Sequence, residues 1–350
     1  MSPEDITALP YFPAGTKSLL AKCLTPKIWD QLKDTKDSTG FTFKQAIYSG
    51  SKWTESGVGV YAGSHDSYYA FAPLFDRIIY DYHGHSKDAK HGSDMDYTKL
   101  NCPKFPEDED KMINSTRIRV ARNFAEFPLG SNVSREQRLE IESRITTALA
   151  QFTGDLKGKY YSLATMTPEE KKSLVDDHFL FKGGDKYLQS AFLEREWPEA
   201  RGIFHNESKT FLVWVNEEDQ LRIISMQPGS DIREVFERLV KGVSAIEKQA
   251  KFAHDDHLGY ITSCPSNLGT GLRASVHIKL PKLGGTKKDE FQAIADKYYV
   301  QIRGAHGEHT ETDDHVYDIS NLRRLGRSEV DLVQDMYNGV KAMIKREKEL

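Results

Sequence analysis

One run, Tyr260 to Lys279, constrains this chain more than any other: Tyr-Ile-Thr-Ser-Cys-Pro-Ser-Asn-Leu-Gly-Thr-Gly-Leu-Arg-Ala-Ser-Val-His-Ile-Lys. Its apolar start predicts a strand ending at Cys264 and Pro265. Ser266, Asn267, Gly269 and Gly271 follow, residue types that tolerate tight or left-handed backbone, and they predict a turn. Arg273 then enters a second strand that alternates through Val276, Ile278 and Leu280. One short segment therefore presents a thiol, backbone N–H groups, a guanidinium and the imidazole of His277. Such a set suits the holding of anions next to a reactive centre. The same pattern also fits an ordinary hairpin with a buried cysteine, so the rest of the chain must decide.

Three hundred and fifty residues suggest two domains, or one large domain with an appendage. A hydrophobic content of 38% and a charged content of 29% are those of a water-soluble globular chain. A net charge of −4 gives no electrostatic reason to expect nucleic acid or anionic membrane as partner. The longest apolar run, Phe211 to Val215, is too short to cross a bilayer. The start Met-Ser-Pro-Glu-Asp carries no visible signal peptide. The three cysteines, Cys23, Cys102 and Cys264, point to a reducing cytoplasm without a disulfide framework. The sequons at Asn114, Asn132 and Asn206 are then chance matches.

Along the chain, residues 1–40 predict short helices, with Thr25 capping a helix that has Pro26 at its first position. Ser56-Gly57-Val58-Gly59-Val60-Tyr61 forms a glycine-spaced loop. It lacks the third glycine of a dinucleotide fingerprint and the Gly-Lys-Ser/Thr of a P-loop. It reads either as a surface turn or as backbone that approaches a ligand closely. From Asp81 to Asp110 the composition turns polar, which predicts an inter-domain linker. The histidines there, His83, His85 and His91, predict a solvated loop ahead of a metal site.

Arg117-Ile118-Arg119-Val120-Ala121 predicts a strand with both arginines on one face. Ser134 with Gln137 and Thr167 with Pro168 mark two helix starts. Thr210–Val215 and Leu221–Met226 predict a hairpin around Asn216-Glu217-Glu218-Asp219-Gln220. Ser230 predicts the opening of a helix with one continuous apolar face. His254-Asp255-Asp256-His257 reads as a turn. A helix around Phe291, strands at 300–302 and 316–320, and a helix from Ser328 complete the reading. Hairpins outnumber strand–helix–strand units, so the sheet is expected to be largely antiparallel with helices against it, an α+β fold.

Cys264-Pro-Ser-Asn-Leu-Gly-Thr270 resembles the signature of the phosphagen (guanidino) kinases. Ser115-Thr-Arg-Ile-Arg119, Asn216-Glu-Glu-Asp219 and Arg303-Gly-Ala-His-Gly-Glu-His-Thr310 match the same family in the same order, and the similarity spans nearly all of the chain. The resemblance implies a small all-helical domain (1–85) carrying the specificity loop, a linker (86–110) and an α+β catalytic domain (111–350). It implies reversible transfer of the γ-phosphoryl group of MgATP to a guanidino group. L-arginine is the expected acceptor. Taurocyamine, another guanidino compound and a protein arginine side chain are the alternatives.

Glu218, Glu308 and Cys264 are the implied catalytic residues. They also bind the acceptor, together with Ser56, Gly57, Val58, Gly59, Val60 and Tyr61. For the nucleotide the resemblance selects Ser115, Arg117, Arg119, His178, Arg222, Arg273, Ala274, Ser275, Val276, His277, Arg303, Gly304, Ala305, His306, Gly307 and Glu308. On its own residues His277 could equally be a structural strand histidine. Mg²⁺ is expected on nucleotide phosphates and water with no protein cage, and a thiolate at Cys264 would gain from the bound cation. A monomer is expected, with a dimer as the alternative, acting on small molecules in the cytoplasm. Glu55, Lys186 and His306 stand where arginine-using relatives tend to have aspartate, arginine and arginine. If Glu55 and Lys186 pair across the domains, charge is kept but the bidentate fork is lost.

Overall fold

The structure is a computed structural model that describes residues 1–304 and 314–350. Five helices open the chain: α1 (Leu19–Cys23), α2 (Pro26–Leu32), α3 (Phe43–Lys52), α4 (Ser67–Ala70) and α5 (Ala72–His83). Local chemistry sets their starts. The Thr25 hydroxyl accepts from Ile28 N–H at 3.2 Å with Pro26 first in α2, and Thr42 with Gln45 forms a reciprocal capping box on α3. Their apolar faces meet in a core where Phe43, Phe71 and Phe75 pack edge to face at 5.6 and 5.9 Å. Leu258, Ile261, Leu268 and Leu325 from far down the chain complete that core. The helical region is thus packed against the segment that carries Cys264.

The remainder builds one sheet. The helix α6 (Glu107–Asp110) leads into β1 (Ile113–Arg122), followed by α7 (Arg135–Leu149), β2 (Gly158–Ser162), α8 (Pro168–Asp176) and α9 (Lys186–Ser190). Then come β3 (Gly202–Asn206), β4 (Phe211–Val215), β5 (Leu221–Pro228), α10 (Ile232–Glu247) and the two-residue strands β6 (His254–Asp255) and β7 (Gly259–Tyr260). The chain ends with β8 (Leu272–Lys279), α11 (Pro281–Thr286), α12 (Lys288–Lys297), β9 (Val300–Gly304), β10 (Val316–Asn321) and α13 (Glu329–Glu349). Eight strands pair in the order β2-β3-β4-β5-β1-β8-β10-β9, every pair antiparallel. One face of the sheet is apolar. Ile118, Val120, Ile223, Ala274, Val276 and Ile319 lie there in a single core with Phe236 and Leu239 of α10 and Met336 and Val340 of α13. Period two therefore turns Arg117, Arg119, Arg222 and Arg273 to the opposite face.

Several expectations need correction. The residues before Cys264 are not a strand paired with 272–279. That strand has both edges occupied, by β1 and β10, so the Cys264 segment is left as a loop with a single 3-10 turn at Pro265–Asn267. The polar linker is not solvated at its histidines, because His83, His85 and His91 are all buried. Ring nitrogens of His83 and His85 meet the backbone oxygens of Pro265 and His257 at 2.8 and 2.7 Å, and His91 Nδ1 accepts from Gly326 N–H at 2.9 Å. Hydrogen bonds to fixed carbonyls and amides offset part of the cost of burying these rings, although His83 Nδ1 and His91 Nε2 find no partner among the described residues. Asp231, not Ser230, caps α10, accepting from Glu234 N–H, while the Ser230 hydroxyl donates to Asp110. The sequence signals did not predict β2 or β3 at all.

Candidate active site

Arginine dominates the polar face. Arg119 stands directly opposite Arg273, Arg117 opposite Ser275, and Ala121 opposite Arg222 across neighbouring strands. Cross-strand neighbours lie only about 5 Å apart, so these guanidinium groups crowd together. Arg117 and Arg222 both lie 5.5 Å from the Trp214 ring centre, the separation of a cation–π contact. Arg119 keeps a buried Nη1 without a hydrogen-bond partner among the described residues. Burial, then the nearby charges of Arg222 and Arg324, push its pKa well below the ordinary arginine value. Burial and Arg273 likewise bring Arg117 down to about 10. Arg222 and Arg273 have acidic partners in Glu217, Glu218 and Asp318, while Arg117 and Arg119 are crowded by like charges, an environment that suits a polyanion.

Two cavities meet along a shared wall that includes Glu218. The first, of about 530 Å³, is lined by Arg119, Arg222, Arg303 and Arg324, with Tyr82 and Glu218 at its sides. The second, of about 420 Å³, is lined by Ser56, Gly57, Tyr61, Glu217, Glu218 and Cys264. Glu218, Gly57 and Val58 belong to both. A larger cavity of about 850 Å³ at the β2–β3 end of the sheet holds none of the motif residues, so size alone does not mark the site. Chemistry does: one cavity is cationic, its neighbour carries carboxylates and a thiol, and Glu218 is shared.

Family models match both ends of the chain. Residues 14–80 match the N-terminal domain of the ATP:guanido phosphotransferases and residues 140–350 their C-terminal catalytic domain. This chain belongs to that family. An arginine kinase from Anthopleura japonica is 53% identical over 95% of the chain, which spans about half (47%) of that relative's length. Arginine kinase Lit v 2 from Penaeus vannamei is 48% identical over 95% of this chain and 94% of its own. Among solved structures, a lombricine kinase superposes with a TM-score of 0.90 at 38% identity, covering 99% and 95% of the two chains. A duplicated taurocyamine kinase from Schistosoma mansoni with bound transition state analog components gives 0.88 at 40%, covering 95% of this chain and 46% of that one. The phosphotransferase fold is thus common to relatives named for three different guanidino compounds.

In this guanidino phosphotransferase the β4–β5 turn is held firmly. Asp219 Oδ1 accepts from Asn123 Nδ2 at 2.9 Å and from Ser263 N–H at 2.8 Å. Asn123 Oδ1 accepts from Gln220 N–H at 2.9 Å, and Ser263 Oγ donates to the Glu218 carbonyl at 3.0 Å. These bonds bring Glu218 beside Cys264. Arg222 reaches Glu217 at 3.1 Å and Glu218 at 3.5 Å. Burial raises Glu218 to about 7, against the pull of Arg222 and with the help of Asp219 and Glu217. A carboxyl so poised changes charge in the working range and suits a cation that arrives with it.

Cys264 is buried, with Sγ 3.1 Å from Ser266 Oγ. Burial and then Glu218 push its thiol up to about 12, which favours the neutral thiol. Cys23 and Cys102 are also raised, to about 11 and about 12, chiefly by burial. The loop from Ser56 is built by close backbone approach. Gly59 has φ +90° and accepts from Gly50 N–H, and a Cβ on Gly50 would fall 2.2 Å from the Gly59 oxygen. The carbonyls of Gly57 and Val58 accept from Leu19 and Leu20 N–H at 3.0 and 2.9 Å. Val60 is fully buried in the helical core and offers no side chain to a ligand.

Other residues fall differently. Ser115, Ser275 and His277 lie on the arginine face, and His277 Nε2 is 3.0 Å from Asp318, which also takes Arg273 at 2.6 Å. Ala274 and Val276 turn their side chains into the core on the far side of the sheet, so only their backbone is on the polar side's edge of the ladder. His178 is exposed, at φ +63° just past α8, and lines neither cavity. Gly304 closes β9. Ala305, His306, Gly307 and Glu308 lie outside the described residues. Glu55 and Lys186 do pair, where Lys186 also lies 4.5 Å from the Trp53 ring centre. Sequence reasoning missed Arg324 and Asn123. Arg324 sits in a loop without periodicity, and Asn123 follows a strand as any turn former might.

Proposed function

We propose that this chain reversibly transfers the γ-phosphoryl group of MgATP to the guanidino group of L-arginine. The observation that carries the reading is the pair of cavities sharing Glu218. A triphosphate among the arginines of the first would bring its terminal group to the wall where the second begins. Arg119, Arg222, Arg303 and Arg324 would neutralise the transferring charge. Glu218 would hold the planar cation and orient one nitrogen, with Cys264 on its other side and Glu308 as a second carboxylate. Alignment of this kind lowers a barrier by roughly 7–11 kcal/mol, and phosphoryl transfer asks for little else beyond charge stabilisation.

MgATP enters as the substrate. The cationic donor set fits a magnesium ion carried by phosphates and water and does not fit a protein-held one. Among the described residues no group of three or more His, Cys, Asp and Glu could hold a metal. The reading takes 1–85 as the helical domain, 86–110 as linker and 111–350 as catalytic domain, in keeping with one large apolar core that uses no residue before Met95 and another built mainly from residues before 85. It takes the enzyme as a monomer, with a dimer as the alternative, and as cytoplasmic, in keeping with three unpaired cysteines. Among the described residues no helix is long and apolar enough to cross a membrane.

Curated relatives named as arginine kinases, at 48–53% identity, favour arginine over the other acceptors. An ADP-release assay across arginine, taurocyamine, lombricine, creatine, glycocyamine and a protein acceptor tests it. Arginine should give the highest kcat/KM. Preference for any other acceptor would overturn the substrate, and no ADP release with any of them would overturn the activity.

A further inference from the structure

The backbone around Cys264 is gripped by the helical domain. Ala62 N–H donates to the Ser263 carbonyl at 2.8 Å, and Tyr68 OH donates to the Thr262 carbonyl at 2.6 Å. His83, the last residue of α5, brings Nε2 to 2.8 Å from the Pro265 carbonyl. The Cys264 carbonyl is satisfied within its own turn, by Thr262 Oγ1 at 2.8 Å. Cys264 Sγ has its polar contact, Ser266 Oγ, in that same turn. The direction of the sulfur is therefore set by how the turn is held, not by a bond to the sulfur. Ala62 and Tyr68 hold it upstream, and His83 holds it downstream.

We propose that His83 is a positioning residue for the acceptor site: its bond to Pro265 fixes the peptide after Cys264 and ties the aim of the sulfur to the seating of α5. The inference rests on the function proposed above, in which Cys264 touches the guanidino group. A carbonyl only accepts, so Nε2 carries the proton and Nδ1 is a bare acceptor. Among the described residues Nδ1 is buried without a partner, and Pro265 takes the ring's one hydrogen bond. Burial holds His83 down at about 3, so this tautomer persists throughout the working pH range. A displacement of about 1 Å at a reacting centre can cost a hundredfold in rate, which gives one second-layer bond its leverage.

Three variants of the full chain test the proposal. His83→Leu keeps the volume without the donor. His83→Gln places an amide nitrogen near the Nε2 position, and His83→Asn places it near Nδ1. Loss of one hydrogen bond should raise the arginine KM of H83L and H83N about tenfold, with the MgATP KM within about twofold and H83Q close to wild type. Alkylation of Cys264, followed by peptide mass spectrometry with Cys23 and Cys102 as internal references, should be faster in H83L and H83N than in H83Q. A purely structural histidine would lower the unfolding temperature of all three variants without this split. Equal arginine KM and equal Cys264 labelling in H83L and wild type would overturn the proposal, as would equal impairment of H83Q and H83L. Should H83L not fold, the Gln and Asn variants carry the same comparison. The labelling arm needs no substrate, so it tests His83 even if arginine proves not to be the acceptor.

Discussion

Arg119 and Arg201 are both strand-region arginines taken out of water, yet they are treated in opposite ways. Arg201 is fully buried, and each of its three nitrogens donates to backbone. Its Nη2 donates to Leu193 O at 2.7 Å, Nη1 to Arg195 O at 2.7 Å and Glu199 O at 3.0 Å, and Nε to Asn216 O at 3.1 Å. Among the described residues Arg119 has a buried Nη1 with no partner, and further arginines are its neighbours. A structural guanidinium is saturated by carbonyls, whereas one built to receive an anion is left facing others of its kind. Arg201 also ties the 193–199 segment to the turn that carries Glu217 and Glu218, so the unsatisfied site leans on the satisfied hub.

Breaking the acidic side of the site should have the largest effect. Glu218→Gln should lower kcat about a thousandfold, read in the ADP-release assay, and should not lower the unfolding temperature. The sign follows from its raised pKa: the folded chain holds that proton more tightly, so stability falls as pH rises from 4.5 towards about 7, and glutamine removes this loss. Retained turnover would end the proposed role of Glu218. Next, Arg119→Met should lower kcat/KM by roughly a hundredfold to a thousandfold while leaving the fold at least as stable. Arg201→Met should do the reverse and cost about 3 kcal/mol in denaturant unfolding, because several carbonyls lose their donor together. If R119M unfolds as easily as R201M, the contrast between receptor and hub is wrong.

A gentler test uses pH. Glu218 must be ionised to hold a cation, so kcat/KM for arginine should rise with pH through a limb near 7, set by the raised carboxyl. The limb should be missing in the Glu218→Gln variant, and its persistence there would assign it to another group. The smallest effect is expected at the domain contact. Lys186→Arg should change the arginine KM by less than about threefold, since an exposed pair contributes little. A larger change would mean that this strap governs closure.

Much of this was legible in the residues. Period two through Arg117 and Arg119 gave their common face, and Ser134 with Gln137 and Thr167 with Pro168 gave helix starts that the structure repeats. The Asn216–Gln220 hairpin was readable because a run of strand formers stands on each side of a polar turn. Neither β2 nor β3 was readable, since Gly158–Ser162 and Gly202–Asn206 are short and lack a clean alternation. The hairpin assigned to Cys264 failed because local pattern cannot say which strands already occupy both edges of 272–279. The histidines of the linker misled for a related reason. Polar composition predicts solvation only where no distant carbonyl is waiting.

What the sequence determined by itself is local: strand and helix periods, caps, the tight backbone at Gly57–Gly59, and the chemical kinds gathered at each motif. Those follow from dihedral preferences and from contacts three or four residues apart, which any reader of the chain can count. Only the tertiary structure decided that Glu218 stands between two cavities, that Arg324 joins the arginines, and that Asn123, Asp219 and His83 hold the turns in place. Such placements depend on hydrogen bonds between groups 44 to 182 residues apart, and a one-dimensional pattern does not encode which distant donor meets which buried acceptor.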